Sequence, residues 1–142
     1  MAILKKILAP TDLSDLSATG LRYATQLARD SGAELIIFNV MALDETNTVD
    51  ERGLERHRTS LDRFVSDKVP DISEDVKISK IVDAGDAYGA ILDCADNERV
   101  DLIVMSSHGR SGLSRMLIGS VTDKVIRGAS CPVLVVPVKN RT

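Results

Sequence analysis

Two kinds of segment alternate along this chain. Five short runs of mostly apolar residues are typical of buried β-strands, and each of the first four is followed by a stretch with the apolar spacing of one helix face. The predicted strands lie at residues 5–10, 33–40, 76–85, 101–105 and 131–138. The predicted helices lie at residues 15–32, 51–69 and 121–128, with a further helix capped by Asp86 that carries Ala90, Ile91 and Ala95.

This alternation predicts a single α/β domain over residues 1–142. Because successive strands are joined through helices, the sheet should be parallel, with right-handed crossovers and helices on both faces. Five strands and four helices fit a doubly wound sheet of the flavodoxin-like or Rossmann-like type. Such sheets bind ligands beyond the carboxyl ends of their strands, near the point where the strand order reverses.

Candidate functional residues follow the predicted strands at those ends. Asp12 comes after the first strand, Val40 closes the second, Gly85 follows the third, and residues 106–109 follow the fourth. Since the carboxyl ends of parallel strands share one edge of a sheet, we expect these residues to lie close together.

The composition limits the partners that the chain is expected to bind. With a net charge of −3, 44% hydrophobic and 27% charged residues, it offers no strong attraction to nucleic acid or to an anionic membrane. No apolar run approaches the about 20 residues that a membrane span needs. The first ten residues hold too short an apolar run for a signal peptide, so a cytoplasmic protein is expected. Cys94 and Cys131 form no CxxC motif and are expected to be reduced thiols.

The stretch SSHGRSGLSRMLIGSV, residues 106–121, is rich in serine, glycine and basic residues. Nine residues separate Gly109 from the pair Gly119 and Ser120, which stand just before a predicted helix. Glycine lets another group approach the backbone closely, and a helix N-terminus presents unpaired N–H groups and a partial positive charge. The segment therefore predicts a phosphate site. The alternative is that the glycines only form turns and Ser120 only caps the helix.

Capping signals fit either interpretation. Ser120 is predicted to be the N-cap of the helix, with Asp123 three residues further on as in a capping box and Gly128 at the end. Other phosphate signatures are absent: the chain has no GxxxxGK[ST] and no GxGxxG after its first strand. A P-loop and a dinucleotide-binding Rossmann site are therefore not expected.

Three polar side chains near this segment could carry chemistry. His108 has no nucleophile signature beside it and no second histidine at ligand spacing, so a structural role in ordering the loop is expected, with a phosphate contact or a general base as alternatives. Arg110 and Arg115 could neutralise phosphate charge or remain solvated. A metal site built from protein ligands alone is not expected.

Residues 106–137 resemble the carboxyl half of a universal stress protein domain. Nucleotide-binding members of that family carry Gly, two residues, Gly, nine residues, and then Gly-Ser or Gly-Thr. Here Gly109 and Gly119 with Ser120 match the second and third elements, whereas Ser106 replaces the first glycine. The stretches ILAPTDLSDLS, IIFNV and VDAGDAYGAIL resemble the family's first loop, second strand and third strand–helix junction, so the resemblance covers the whole chain.

The resemblance implies a five-stranded domain with strand order 3-2-1-4-5 that binds ATP. By this resemblance, Asp12 and Val40 both match positions beside the adenine and ribose, and the glycine loop matches the triphosphate cradle. Ser106 in place of glycine is expected to weaken binding rather than abolish it. Mg²⁺ could accompany ATP, with Asp12 and Asp15 as candidate ligands. The full set of expected nucleotide-binding residues is Pro10, Asp12, Val40, Ser106, His108, Gly109, Arg110, Gly119, Ser120, Val121 and Thr122.

The expected function is that of a small cytoplasmic ATP-binding protein in stress response or signalling, which acts by binding and hydrolyses ATP slowly or not at all. No residue is assigned a catalytic role, because no general base or arginine finger is evident. The alternatives are a nucleotide-free dimeric interaction module and a slow ATPase or phosphotransferase. A homodimer is expected through the apolar last strand at Val133, Leu134, Val135 and Val136, together with a downstream protein partner that the sequence does not specify.

Overall fold

The computed structural model describes residues 4–72, 75–109 and 118–138. Strands and helices alternate in those ranges in the predicted order. The strands are β1 (Lys6–Pro10), β2 (Glu34–Met41), β3 (Ile78–Ala84), β4 (Leu102–Ser106) and β5 (Val133–Val136). The helices are α1 (Asp15–Ser31), α2 (Glu51–Lys68), α3 (Ala87–Asn97) and α4 (Ser120–Gly128).

The five strands form one parallel sheet in the order β3-β2-β1-β4-β5, which confirms the predicted fold class and strand order. From β1 the chain runs outward through β2 to β3, then crosses to β4 and β5 on the other side. The order therefore reverses between β1 and β4. In that central part of the sheet, Ile7 of β1 pairs with Leu35 of β2 and with Leu102 of β4.

Helices cover both faces of the sheet and create two apolar cores. On one face, α1 and α2 bury Leu21 and Leu61 against β1 residues such as Ile7. On the other face, α3 and α4 bury Ile91 and Val125. Neighbouring strand residues thus point into opposite cores, which is why the central strands read as continuous apolar runs.

Capping residues fix the ends of α1 and α3 as the sequence predicts. α1 ends at Ser31, and its C-cap is Gly32, whose φ of 74° is the left-handed conformation that favours glycine. Asp86 is the N-cap of α3, and its side chain accepts a hydrogen bond from the backbone N–H of Gly89. Both helices are therefore positioned by local sequence as well as by their apolar faces.

The predicted caps of α4 are wrong. Gly119 is the N-cap residue and no side chain caps this helix, because Ser120 is already its first helical residue. The carboxylate of Asp123 accepts a hydrogen bond from Arg127 instead of completing a capping box. Gly128 is the last helical residue and Ala129 is the C-cap; a Cβ at residue 128 would approach only the flexible end of the Leu92 side chain on α3.

Cys94 and Cys131 are free thiols associated with the core under α3 and α4. Burial, with help from Glu98 and Asp83, raises the pKa of Cys94 to about 11. The pKa of Cys131 is also raised, chiefly by burial and by Asp96. A thiol with a raised pKa holds little nucleophilic thiolate near neutral pH, so both cysteines act as apolar packing groups.

Candidate functional site

A cleft of about 280 Å³ lies at the carboxyl ends of β1, β2 and β4 and beside the first residues of α3 and α4. Its position is the reversal point between β1 and β4, where doubly wound sheets bind ligands. Ten of the eleven predicted nucleotide-binding residues line it: Pro10, Asp12, Val40, Ser106, His108, Gly109, Gly119, Ser120, Val121 and Thr122. The eleventh, Arg110, lies outside the described residues, as does Arg115.

Six further lining residues were not predicted from the sequence: Thr11, Ser17, Phe38, Ala87, Ile91 and Met105. Their placement follows from simple spacing rules. Phe38 lies two residues before Val40 on β2 and so shares its face of the sheet. Ala87 and Ile91 are four residues apart on α3 and so share its cleft-facing side. Together with Met105, these side chains give the cleft an apolar wall.

The turn between β1 and α1 holds Asp12 through a series of local hydrogen bonds. Asp12 Oδ1 accepts from the backbone N–H of Ser14 at 3.0 Å and from the Ser14 hydroxyl at 2.5 Å. Ser14 is also the N-cap of α1, where its hydroxyl accepts from the N–H of Ser17. Leu13, between them, has a φ of 66°, a conformation that costs a non-glycine residue about 1 kcal/mol or more. The orientation of Asp12 is thus imposed by its surroundings.

The backbone of Gly109 lies close to the side chain of Asp12. A Cβ at residue 109 would collide with Oδ2 of the Asp12 carboxylate. Since Gly109 has no positive φ, its role is to leave space and not to supply an unusual backbone conformation. The structure therefore joins two distant candidate residues, Asp12 and Gly109, in one contact.

The N-terminus of α4 faces the cleft without a side-chain cap. The Gly119 N–H donates to the carbonyl of Ser107 at 2.7 Å, which anchors the start of the helix to the end of β4. Thr122 is buried, and its hydroxyl donates to the Ser106 carbonyl at 3.0 Å. Ser120 and Val121 are exposed at the rim. The first turn of α4 therefore presents backbone N–H groups and its partial positive charge to the cleft.

Ser106, the departure from the family motif, has its hydroxyl engaged with α1. Its Oγ accepts from the N–H of Gly20 at 2.8 Å and donates to the carbonyl of Ser17 at 3.3 Å. The residue is only 5% exposed. The extra hydroxyl relative to glycine is thus used to join β4 to α1.

His108 is buried, and its Nδ1 lies 3.0 Å from the Ser107 hydroxyl. The same hydroxyl accepts from the N–H of Val138, just after β5. These contacts connect the segment after β4 to the end of the chain that the structure describes. They support the structural role expected of His108.

Asp15, the second candidate for holding Mg²⁺, does not line the cleft. Its carboxylate forms an ion pair with Lys68 of α2 at 2.7 Å, and this partner holds the pKa of Asp15 below its usual value. Asp12 is therefore the carboxylate of the predicted pair that lines the cleft. Within the described ranges, no group of three or more His, Cys, Asp or Glu side chains is arranged to hold a metal ion.

Comparison with known proteins identifies the family of this chain. Residues 4–137 match the model of the universal stress protein family. The chain belongs to the universal stress protein family. This family member is 34% identical over 138 residues to universal stress protein MJ0531 of Methanocaldococcus jannaschii, an alignment that covers 93% of this chain and 81% of that protein.

Two solved structures resemble this universal stress protein over nearly its whole length. The structure of MJ0577 from Methanocaldococcus jannaschii is 31% identical, with a TM-score of 0.70 and coverage of 98% and 99% of the two chains. A universal stress protein in complex with cAMP is 26% identical, with a TM-score of 0.74 and coverage of 94% and 97%. Across the part of this chain that the structure describes, no helix is long and apolar enough to span a bilayer.

Proposed function

We propose that this universal stress protein binds ATP in the cleft and acts as a nucleotide-dependent binding module in stress response or signalling. The observation that carries the proposal is that an apolar wall and the uncapped N-terminus of α4 open onto the same cleft. A nucleotide needs both features, because its base is a flat ring that favours apolar contact and its phosphates are anions that favour helix N-termini.

The lining residues fit the parts of ATP as follows. Phe38, Val40 and Met105 provide apolar surface for the adenine, and Asp12 provides a carboxylate acceptor for ribose hydroxyls. The backbone N–H groups at the start of α4 and the open backbone at Gly119 suit the phosphates. If Mg²⁺ accompanies ATP, Asp12, which lines the cleft, is a candidate carboxylate ligand. The cAMP complex of a relative supports a nucleotide as the ligand class.

The nucleotide content of the purified protein tests this proposal. We expect denatured protein to release an adenine nucleotide that mass spectrometry identifies as ATP, or the apoprotein to take up one ATP per chain in calorimetry. Protein that carries no nucleotide and shows no saturable heat with millimolar ATP would contradict the proposal. GTP at the same concentration is the control for specificity towards the base.

Bound ATP should be hydrolysed more slowly than about 1 s⁻¹, the lower end of ordinary enzyme turnover. Phosphoryl transfer needs a positioned nucleophile and concentrated positive charge on the phosphate oxygens. The described cleft offers backbone N–H groups and hydroxyls instead, and the Thr122 hydroxyl is already committed to the Ser106 carbonyl. Single-turnover hydrolysis with excess protein measures the rate, and turnover of about 1 s⁻¹ or faster would make the protein an enzyme.

ATP should instead act by stabilising one conformation of the cleft. A ligand shifts a conformational equilibrium only by binding one state better, so ATP is expected to slow amide hydrogen exchange at Gly109, Gly119 and the first turn of α4. A partner that recognises the ordered surface would then respond to nucleotide. Exchange that is identical with and without saturating ATP would rule out this mode of action.

A homodimer through β5 is the second part of the proposed function. β5 is an edge strand that pairs with β4, and its four residues are all partly exposed. An apolar edge strand favours pairing with another strand, and a second copy related by a two-fold axis provides one. Leu134 and Val136 pack against the α1–α2 core and Val133 against the other core, whereas neither core includes Val135.

Replacing Val135 with lysine should therefore weaken the dimer while leaving the folded subunit in place. Sedimentation velocity of the unmodified protein at about 10 μM should show a dimer, and Val135→Lys should shift it towards monomer. Val49→Lys is the matched control, since Val49 is 55% exposed in the connection before α2. A monomeric unmodified protein would contradict dimerisation. Equal dimer content in Val135→Lys and the unmodified protein would show that the interface does not involve β5.

A further inference from the structure

A chain of hydrogen bonds connects α2 to the cleft across β2, through the buried residues Asn39 and Thr11. His57 of α2 lies with its Nδ1 2.8 Å from Oδ1 of Asn39, which belongs to β2. The amide nitrogen of Asn39 donates to the backbone carbonyl of Thr11 at 2.9 Å. Thr11 lines the cleft and directly precedes Asp12. The chain therefore ends at the turn that carries the candidate ribose ligand.

The hydrogens of this chain have one consistent arrangement. Because the Asn39 nitrogen donates to Thr11, its Oδ1 faces His57 and can only accept, so Nδ1 of His57 is the donor. Asn39 is 2% exposed, and water cannot easily replace a bond that is lost there. A buried amide that is hydrogen-bonded through both its nitrogen and its oxygen permits little freedom in the groups at either end.

Thr11 connects the Asn39 amide to the turn between β1 and α1 through further hydrogen bonds. Its N–H donates to the carbonyl of Phe38 at 2.8 Å, and its hydroxyl accepts from the N–H of Leu13 at 3.0 Å. The Ser17 hydroxyl donates to the Ser14 carbonyl, so the 2.6 Å contact between Thr11 and Ser17 has Thr11 as donor. The carbonyl, the N–H and the hydroxyl of Thr11 are thus all fixed. The strained conformation of Leu13 persists within this bonded frame.

We propose that Asn39 and His57 are positioning residues for nucleotide binding, which hold Thr11 and through it the carboxylate of Asp12 in the orientation that the ligand requires. This inference rests on the proposed function of the cleft. Neither residue lines the cleft, so both act through the turn between β1 and α1. His57 lies on α2, which packs on the face of the sheet opposite the apolar wall of the cleft. A helix that does not line the cleft thereby contributes to the site.

Calorimetric titration of ATP into matched variants tests the effect on affinity. Asn39→Leu, which keeps the number and branching of the side-chain heavy atoms but loses both hydrogen bonds, should weaken ATP binding about tenfold. His57→Leu should weaken it about fivefold, and His57→Asn should restore it to within about twofold, since the asparagine nitrogen occupies the place of Nδ1. Thr25→Val is the control, because it removes a buried hydroxyl bond within α1, far from the turn, and should change affinity by less than about twofold.

A double-mutant cycle separates positioning from a general loss of stability. If Asn39 acts through Asp12, Asn39→Leu should weaken ATP binding by less than about twofold once Asp12 is alanine. An equal tenfold loss in both backgrounds, or failure of His57→Asn to recover the affinity lost in His57→Leu, would overturn the proposal. Thermal unfolding of each variant shows how much of any change in ATP affinity accompanies a loss of stability. Thr25→Val shows how large that effect is for a buried hydrogen bond away from the turn.

Hydrogen exchange in the nucleotide-free protein gives a second readout that does not depend on ATP. Asn39→Leu should speed exchange of the amides of Leu13 and Ser14 at least about fivefold, while those of β4 remain as in the unmodified protein. Unchanged exchange at the turn would overturn the positioning role whether or not ATP binds. Faster exchange in a protein that fails to bind ATP would instead contradict the proposed function, and with it the nucleotide-specific part of this inference.

Discussion

Replacing Gly20 with alanine should lower the free energy of unfolding by about 3 kcal/mol, although alanine normally stabilises a helix interior relative to glycine by about 1 kcal/mol. A Cβ at residue 20 would lie 2.6 Å from the backbone nitrogen of Ser106 and 2.9 Å from the carbonyl carbon of Met105. Both atoms belong to β4, which is bonded to strands on either side and cannot move aside. The Gly20 N–H also donates to the Ser106 hydroxyl, a bond that any displacement of α1 would break.

Urea denaturation measures this change, with Gly89→Ala as the matched control. Gly89 is also helical, but its nearest neighbour to an added Cβ is Asp86 Oδ2 at an ordinary 3.4 Å. That variant should be neutral or more stable by up to about 1 kcal/mol. If Gly20→Ala and Gly89→Ala both follow helix propensity and gain stability, α1 does not pack closely on β4 at Gly20.

Replacing Gly119 with valine should weaken ATP binding at least about 100-fold. Gly119 is the N-cap residue of α4, and the branched side chain would cover the N–H groups that are proposed to bind the phosphates. The fold should survive, because Gly119 has φ −65° and ψ 156°, a conformation open to every residue. An added Cβ lies 3.3 Å from the Ser107 carbonyl oxygen, which a small local adjustment can relieve.

Calorimetry compares the affinity of this variant with that of Gly89→Val, which introduces the same side chain into α3. Gly89→Val should retain the affinity of the unmodified protein to within about threefold. Circular dichroism confirms that each variant is folded before titration. Equal ATP affinity for Gly119→Val and the unmodified protein would show that the phosphates do not lie at the N-terminus of α4.

Much of the fold could be predicted from hydrophobic periodicity because each face of the sheet is buried under helices. The runs around Ile36 and Ile103 are apolar throughout, as strands covered on both sides must be. The glycine after Ser31 and the aspartate at residue 86 marked helix ends correctly, since their effect depends on neighbours in the sequence. The candidate residues at the strand ends could be grouped for the same reason, because parallel topology alone brings those ends together.

Contacts between distant segments could not be predicted in the same way. A Ser-x-x-Asp pattern at Ser120 looks like a capping box, but the helix begins one residue earlier because the Gly119 N–H is tied to Ser107. From the sequence alone, Gly20 is a glycine that lowers helix propensity; only the structure shows that the backbone of β4 packs against it. The bond between Asn39 and His57 joins a strand to a helix 18 residues further along the chain, and no local signal marks it.

In the proposed binding mode, the nucleotide phosphates lie at the start of α4 and the base lies against the apolar wall. Titration of ATP into ¹⁵N-labelled protein, followed by amide chemical shifts, locates the ligand. The largest saturable shifts should occur at Gly119, Ser120 and Val121, with smaller ones at Asp12 and Val40, and adenosine alone should move only the latter pair. Shifts that fail to saturate, or that cluster on α2 around Arg52 and Arg56, would show that ATP does not bind in this cleft.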